Sequence, residues 1–204
     1  METPANPFFD LDGLIVKRAA PLLERVLIVD PDAAAARALA ELLRLIGPGQ
    51  IWTAPGAEAA FDLMDRIEPR TVFVEQTAGI EGEAFVRRLR RSAASCRRAV
   101  AILLARRPVL SDIIAGRDCG AHEVLKKPFT RSELLRRLAS AASEPRAWIE
   151  VPNYVGPDRR RFNAGDYTGV LRRRTDRPAG APAANVRSSI DSPHPSMALT
   201  LAAA

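Results

Sequence analysis

Lysine is almost missing from this 204-residue chain: only Lys17, Lys126 and Lys127 are lysines, and the other basic residues among the 30 are arginines. Cysteine is scarce too. Cys96 and Cys119 stand far apart, which excludes a disulfide framework and any metal-ligand spacing and points to a reduced compartment. Aromatic residues make up 5%, so a packed core has to rest on Ala, Leu, Ile and Val. No apolar run approaches the roughly 18–20 residues of a membrane span. Glu2, Asp10 and Asp12 precede Lys17 and Arg18, the reverse of the charge order in a signal peptide. The expectation is a cytoplasmic protein that neither crosses nor binds a membrane.

What is present is an ordinary globular balance, with 47% hydrophobic and 26% charged residues. The net charge of +6 reflects an arginine- and alanine-heavy composition. Without a clustered basic face it does not argue for nucleic acid, and DNA is not expected as a partner.

From Arg25 the chain alternates short apolar runs with helical patterns. Val26–Val29, Ile51–Thr53, Val72–Val74, Val100–Leu104 and Val124–Leu125 read as strands. Leu39, Leu42, Leu43 and Ile46 lie at helical spacing, as do Phe61, Met64 and Ile67, then Phe85, Val86 and Leu89. Leu110, Ile113 and Ile114 mark a short helix. Leu134, Leu135 and Leu138 form the stripe of a last one, opened by the capping box Thr130-Arg131-Ser132-Glu133. Five strands alternating with five helices in about 120 residues predict an α/β fold, a doubly wound five-stranded parallel sheet. Its site belongs at the carboxyl ends of the strands.

The ends read differently. Residues 1–23 form an extension punctuated by Pro4, Pro7 and Pro21, with Leu14-Ile15-Val16 as a short packed segment. The core domain spans 24–142. Residues 143–178 are arginine-rich, and 179–204 have the composition of a disordered tail. Trp148 and Ile149 suit either an anchor on the domain or a partner contact. Tyr154-Val155-Gly156-Pro157-Asp158-Arg159-Arg160-Arg161 and Tyr167-Thr168-Gly169-Val170-Leu171-Arg172-Arg173-Arg174 share the pattern Tyr-x-Gly-x-x-Arg-Arg-Arg, 13 residues apart. These arginine forks suit anions and the tyrosines suit stacking on a ring, so both copies are candidate binding segments for a protein partner or a nucleotide. The arginines Arg131, Arg136 and Arg137 argue against the basic tail docking on the last helix. His122 and His194 have no partner in the sequence and are expected in solvent; the two thiols are expected to be buried and inert.

Val29-Asp30-Pro31-Asp32 after the first strand and Gly120-Ala121-His122-Glu123-Val124-Leu125-Lys126-Lys127-Pro128-Phe129 before the last helix resemble the receiver domain of bacterial response regulators, the CheY-like family, over residues 24–142. The Tyr-Val-Gly-Pro-Asp-Arg-Arg-Arg run is similar to tails of stand-alone receiver-like proteins of alphaproteobacteria. The resemblance implies a flavodoxin-like fold and self-phosphorylation. In that chemistry an aspartate ending the third strand is the acceptor, acidic residues after the first strand hold Mg²⁺, and a lysine and a hydroxyl hold the phosphoryl oxygens.

This chain departs from that pattern. Glu75 stands at the acceptor position, one methylene too long, and a displacement of about an ångström costs about a hundredfold in rate. Pro31 interrupts the acidic pair, leaving Asp30 and Asp32 as a weak Mg²⁺ site; no other cofactor is expected. Ala105 (Leu104 with one gap) falls at the switch hydroxyl and Val124 at the switch aromatic. Lys127 is retained, and the family's cis bond is expected before Pro128. Glu75 then either mimics an acyl phosphate or only satisfies Lys127.

The expected function is a non-enzymatic, stand-alone receiver-like adaptor in two-component phosphorelay signalling. Its contacts would run through the helix before the fifth strand, that strand, the last helix and the arginine tail. The resemblance implies a histidine kinase, phosphotransfer protein or flagellar motor component as partner. The competing expectation is an effector of cyclic di-GMP, or another anionic ligand, bound by the tail. A third is a receiver phosphorylated at a shifted acceptor. Residues 143–204 are too proline-rich and too weakly periodic for a winged helix.

Overall fold

The computed structural model of the chain describes residues 7–76, 81–143 and 146–159. One compact unit spans Met1–Arg161, and the remainder falls outside the described residues. In chain order the elements are α1 (Pro7–Leu23), β1 (Arg25–Val29), α2 (Ala33–Arg44), β2 (Gln50–Ala54), α3 (Ala57–Ile67), β3 (Thr71–Glu75) and α4 (Gly82–Arg91). A short 3₁₀ turn at Ser95–Arg98 leads to β4 (Val100–Ala105), α5 (Leu110–Cys119), β5 (Glu123–Lys126), α6 (Arg131–Ser143), β6 (Trp148–Val151) and β7 (Tyr154–Pro157).

Strands β1 to β5 make a parallel sheet in the order β2-β1-β3-β4-β5. Helices cover both faces, so the central strands are apolar on both sides and read as continuous runs rather than alternating ones. Phe73, Ile102 and Leu104 face α1, α2 and α6. Val72, Val74, Ala101 and Leu103 face α3, α4 and α5. The order reverses between β1 and β3, and that switch point opens the crevice at their carboxyl ends.

Local chemistry sets the helix starts. Asp32 caps α2, its Oδ1 accepting from the N–H groups of Ala34 and Ala35 at 2.9 and 3.1 Å. The Thr130–Glu133 box opens α6 as expected: the Glu133 N–H donates to Thr130 Oγ1 and the Thr130 N–H to Glu133 Oε2.

Two elements were not anticipated. The N-terminal extension is largely the helix α1, whose Ile15, Val16, Ala19, Leu22 and Leu23 join Leu134, Leu138 and Ala141 of α6 in one apolar cluster. The start of the arginine-rich segment is an antiparallel hairpin, β6–β7, seated on α4 and α5 rather than on α6. The compact unit therefore reaches past the expected boundary at 142 and takes in the hairpin.

Candidate functional site

The crevice at the switch point gathers Asp30, Glu75 and Lys127. Asp30 follows β1, Glu75 ends β3, and Lys127 follows β5 just before the cis bond to Pro128. Both carboxylates are buried. The Lys127 ammonium lies 3.2 Å from Asp30 Oδ2 and directly contacts Glu75 Oε2. Asp30 Oδ1 accepts the Asp32 N–H at 2.9 Å. One cation thus bridges two carboxylates in a site with little access to water.

Asp32 does not join them, because its carboxylate caps α2. Ala105 ends β4 beside Lys126, buried and with no hydroxyl to offer. Val124 is half-buried on β5, close under α5: a Cβ built on Gly116 would sit 2.6 Å from Val124 Cγ2.

A model of the response regulator receiver domain matches residues 26–139. The chain belongs to the receiver family of response regulators. Solved structures agree. A response regulator from Thermotoga maritima is 25% identical, with a TM-score of 0.52, covering 58% of this chain and 97% of that one. One from Chloroflexus aurantiacus is 27% identical, with a TM-score of 0.53 and coverage of 58% and 97%. The chemotaxis protein CheY4 of Vibrio cholerae, at 20% identity and a TM-score of 0.52 over 57% of this chain and 96% of its own, shares the fold. No curated protein matches the chain. The role of this receiver lies in two-component signal transduction. Among the described residues no helix is long and apolar enough to cross a membrane.

The family implies Mg²⁺, and the residues of this receiver do not fit it. Mg²⁺ requires near-octahedral oxygen ligation. Here Asp30 and Glu75 already face an ammonium, Asp32 caps a helix, and among the described residues no three acidic, histidine or cysteine side chains gather around one point.

The first copy of the tyrosine–arginine repeat has a different use from the expected one. Tyr154 is buried and donates its hydroxyl to the Pro157 carbonyl at 2.5 Å, so its ring is not available to stack on a ligand. Arg159 lies over that ring at 4.4 Å and pairs with Asp118 at 2.9 Å. Gly156 passes so close to Gly120 that a Cβ on it would meet Gly120 Cα at 3.0 Å. In this copy Tyr, Gly and the first Arg fasten the hairpin to the domain. Arg160, Arg161, Tyr167, Arg172, Arg173 and Arg174 fall outside the described residues, as does His194.

Sequence reasoning missed Arg90, which is fully buried beneath the hairpin. Its Nε donates to the Gly120 carbonyl at 2.9 Å, and Nη1 donates to the carbonyls of Arg97 and Ala99 at 2.7 and 2.8 Å. Trp148 covers the guanidinium at 5.5 Å, which assigns that tryptophan to the anchor rather than to an exposed contact. Burial lowers the Arg90 pKa to about 10, leaving it charged at neutral pH.

The expectation of solvated histidines fails at His122. Its Nδ1 accepts the Ala101 N–H at 3.2 Å and lies 3.3 Å from Arg90 Nη2. Burial first, then the charges of Arg90 and Arg146, push this imidazole down to about 3. Next to it the buried Glu123 pairs with Arg137 at 3.0 Å and Arg146 at 3.3 Å, tying β5 to α6 and to the start of the hairpin segment. Cys96 and Cys119 are buried, and burial pushes the Cys119 thiol up to about 11.

Proposed function

We propose that this receiver signals without being phosphorylated, as an adaptor acting by contact with other signalling proteins. The observation that carries this reading is the Lys127 bridge between Asp30 and Glu75. In phosphoryl transfer the protein's work is positioning and charge neutralisation. The ammonium that would neutralise an incoming phosphoryl group instead neutralises Glu75, and a phosphoryl donor would have to break that contact in a buried site. With Ala105 and Val124 at the switch positions, a change at Glu75 has no hydroxyl–aromatic relay to act through. Of the two expectations for Glu75, satisfaction of an internal charge is therefore favoured over mimicry of an acyl phosphate. The chemistry of the family points to histidine kinases, phosphotransfer proteins or motor components as partners.

The test is to incubate the full chain with acetyl phosphate and excess Mg²⁺ and to record its intact mass. The reading expects no gain of a phosphoryl group. Stoichiometric, Mg²⁺-dependent labelling at Glu75, Asp30 or Asp32 would overturn it.

A further inference from the structure

Strand β2 is one edge of the sheet, and its main chain faces two ways. The Gln50 N–H donates to the Glu24 carbonyl at 2.9 Å, and the Asp30 N–H donates to the Ala54 carbonyl at 3.1 Å. Along the register from Arg25↔Gln50 to Val29↔Ala54, Gln50, Trp52 and Ala54 therefore turn their main-chain groups towards β1. Ile51 and Thr53 turn theirs outward, where no further strand follows. Native sheets commonly blunt such an edge with charge, proline or a bulge. The other edge, β5, carries Glu123 and Lys126. Strand β2, Gln50-Ile51-Trp52-Thr53-Ala54, has no charged residue, no proline and an unbroken register.

Beside this edge runs a groove of about 490 Å³, a size typical of specific binding clefts. Alanines make the room: Ala33, Ala36 and Ala40 of α2 line it together with Ile51 and Thr53, where larger helix side chains would fill it. Arg37, Glu41 and Arg44 line it as well. All three are exposed, and among the described residues none forms an ion pair. Along the helix axis Glu41 lies about 6 Å and Arg44 about 10 Å from Arg37. Same-face residues of a strand repeat about every 6.7 Å. An acid–base–acid alternation in an extended chain therefore matches this rim, with the long arginine side chains taking up the difference.

We infer that the free edge of β2, with the groove under α2, takes an extended segment of a separate protein, acid-x-base-x-acid in pattern, as an added strand. This rests on the contact reading above and places one such contact away from the α5, β5 and α6 surface. Main-chain bonds to Ile51 and Thr53 give the affinity, and Arg37, Glu41 and Arg44 read the side chains of one face. A second copy of this chain is a poor occupant, because pairing two β2 edges about a two-fold axis would set the rim arginines of the copies against each other. A nucleic acid offers phosphates to the arginines but meets Glu41 with like charge and leaves the main chain of β2 unmatched.

The probe is a labelled synthetic peptide, Thr-Glu-Thr-Lys-Thr-Glu-Thr, titrated against the full chain by fluorescence anisotropy beside its charge-reversed form, with Lys for Glu and Glu for Lys. Two further versions are N-methylated at alternate amides, one set in each. The expected result is binding of the first peptide only, abolished by one methylated set and kept by the other, since only alternate amides of an added strand face β2. Arg37→Glu/Arg44→Glu should lower affinity about tenfold or more with an unchanged unfolding midpoint, because both side chains are exposed. Thr53→Pro should abolish binding while the β1 ladder stays whole, since the N–H it removes points outward. No binding, equal binding of both charge patterns, equal loss with both methylated sets, or indifference to Arg37→Glu/Arg44→Glu overturns the inference. So does a concentration-dependent dimer abolished by Thr53→Pro, which would give the edge to a second copy. The acetyl phosphate experiment fails or succeeds separately: an unphosphorylated chain that ignores the peptide loses this site and keeps the adaptor reading.

Discussion

Replacing Lys127 with methionine tests the central ion pair most directly. The substitution keeps the length of the side chain and removes the cation that both Asp30 and Glu75 face. Those carboxylates are 5% and 2% exposed, so water cannot take over the ammonium's place. Removing one partner of a buried ion pair costs about 3–5 kcal/mol. Asp30 keeps the Asp32 N–H, so most of the loss falls on Glu75. The expected destabilisation of Lys127→Met is about 3–5 kcal/mol, a large part of a stability of about 5–15 kcal/mol. Glu75→Gln in the same background removes one of the two stranded charges. The double variant should then be more stable than Lys127→Met alone, with a coupling of about 1–3 kcal/mol. Urea unfolding at pH 7, followed by circular dichroism, reads all four members of the cycle. Losses that simply add, or a Lys127→Met variant within about 1 kcal/mol of the parent, would mean that the ammonium does not hold the carboxylates, and the argument for a closed pocket would fall with it.

Three further outcomes are expected. His122 has its folded pKa below the unfolded value of 6.5, down to about 3, so the unfolded chain binds the extra proton between those values. Its contribution is complete above pH 6.5 and is lost as pH falls towards 3, by up to about 1.4 kcal/mol per pH unit. The urea midpoint of His122→Gln should therefore fall less steeply over that window than that of the parent. Gly156→Val should unseat the hairpin, because a Cβ there meets Tyr154 Oη at 2.8 Å and Gly120 Cα at 3.0 Å; Trp148 emission should shift to the red and stability drop by about 1–3 kcal/mol. Thr130→Ala should cost about 1 kcal/mol through loss of the α6 cap, with Ser at the same position restoring most of it.

The sheet was legible because burial on both faces writes each central strand as an unbroken apolar run, as in Val26–Val29 and Val100–Leu104. The pocket was legible from the resemblance around Asp30 and Lys127, and the structure does bring Asp30, Glu75 and Lys127 together. The hairpin was hidden for a physical reason: four-residue strands around Pro152 and Asn153 leave too short an alternation to register, and the neighbouring arginines read as a solvated run. Helix α1 does carry an apolar stripe, Ile15, Val16, Ala19, Leu22 and Leu23, but Pro7 and Pro21 at its ends read as interruptions. Arg90 and His122 were misjudged or missed because residue type alone made solvent their expected place. Their burial depends on carbonyls and an N–H that only the fold brings near.

The packing of α1 and of the β6–β7 hairpin on the domain has a bearing on where this protein can be cut. A fragment trimmed to the family limits, 26–139, would lack α1 and the hairpin together. Leu134 and Leu138 would lose the greasy cover of Ala19 and Leu23, and the guanidinium of Arg90 would lose its indole lid. Such a fragment would present a sticky flank and a wet, half-unpacked cation at the places that α1 and the indole cover in the receiver. The smallest piece of this receiver that behaves as the native protein keeps α1 ahead of the first strand and the hairpin with Arg159 behind the last helix.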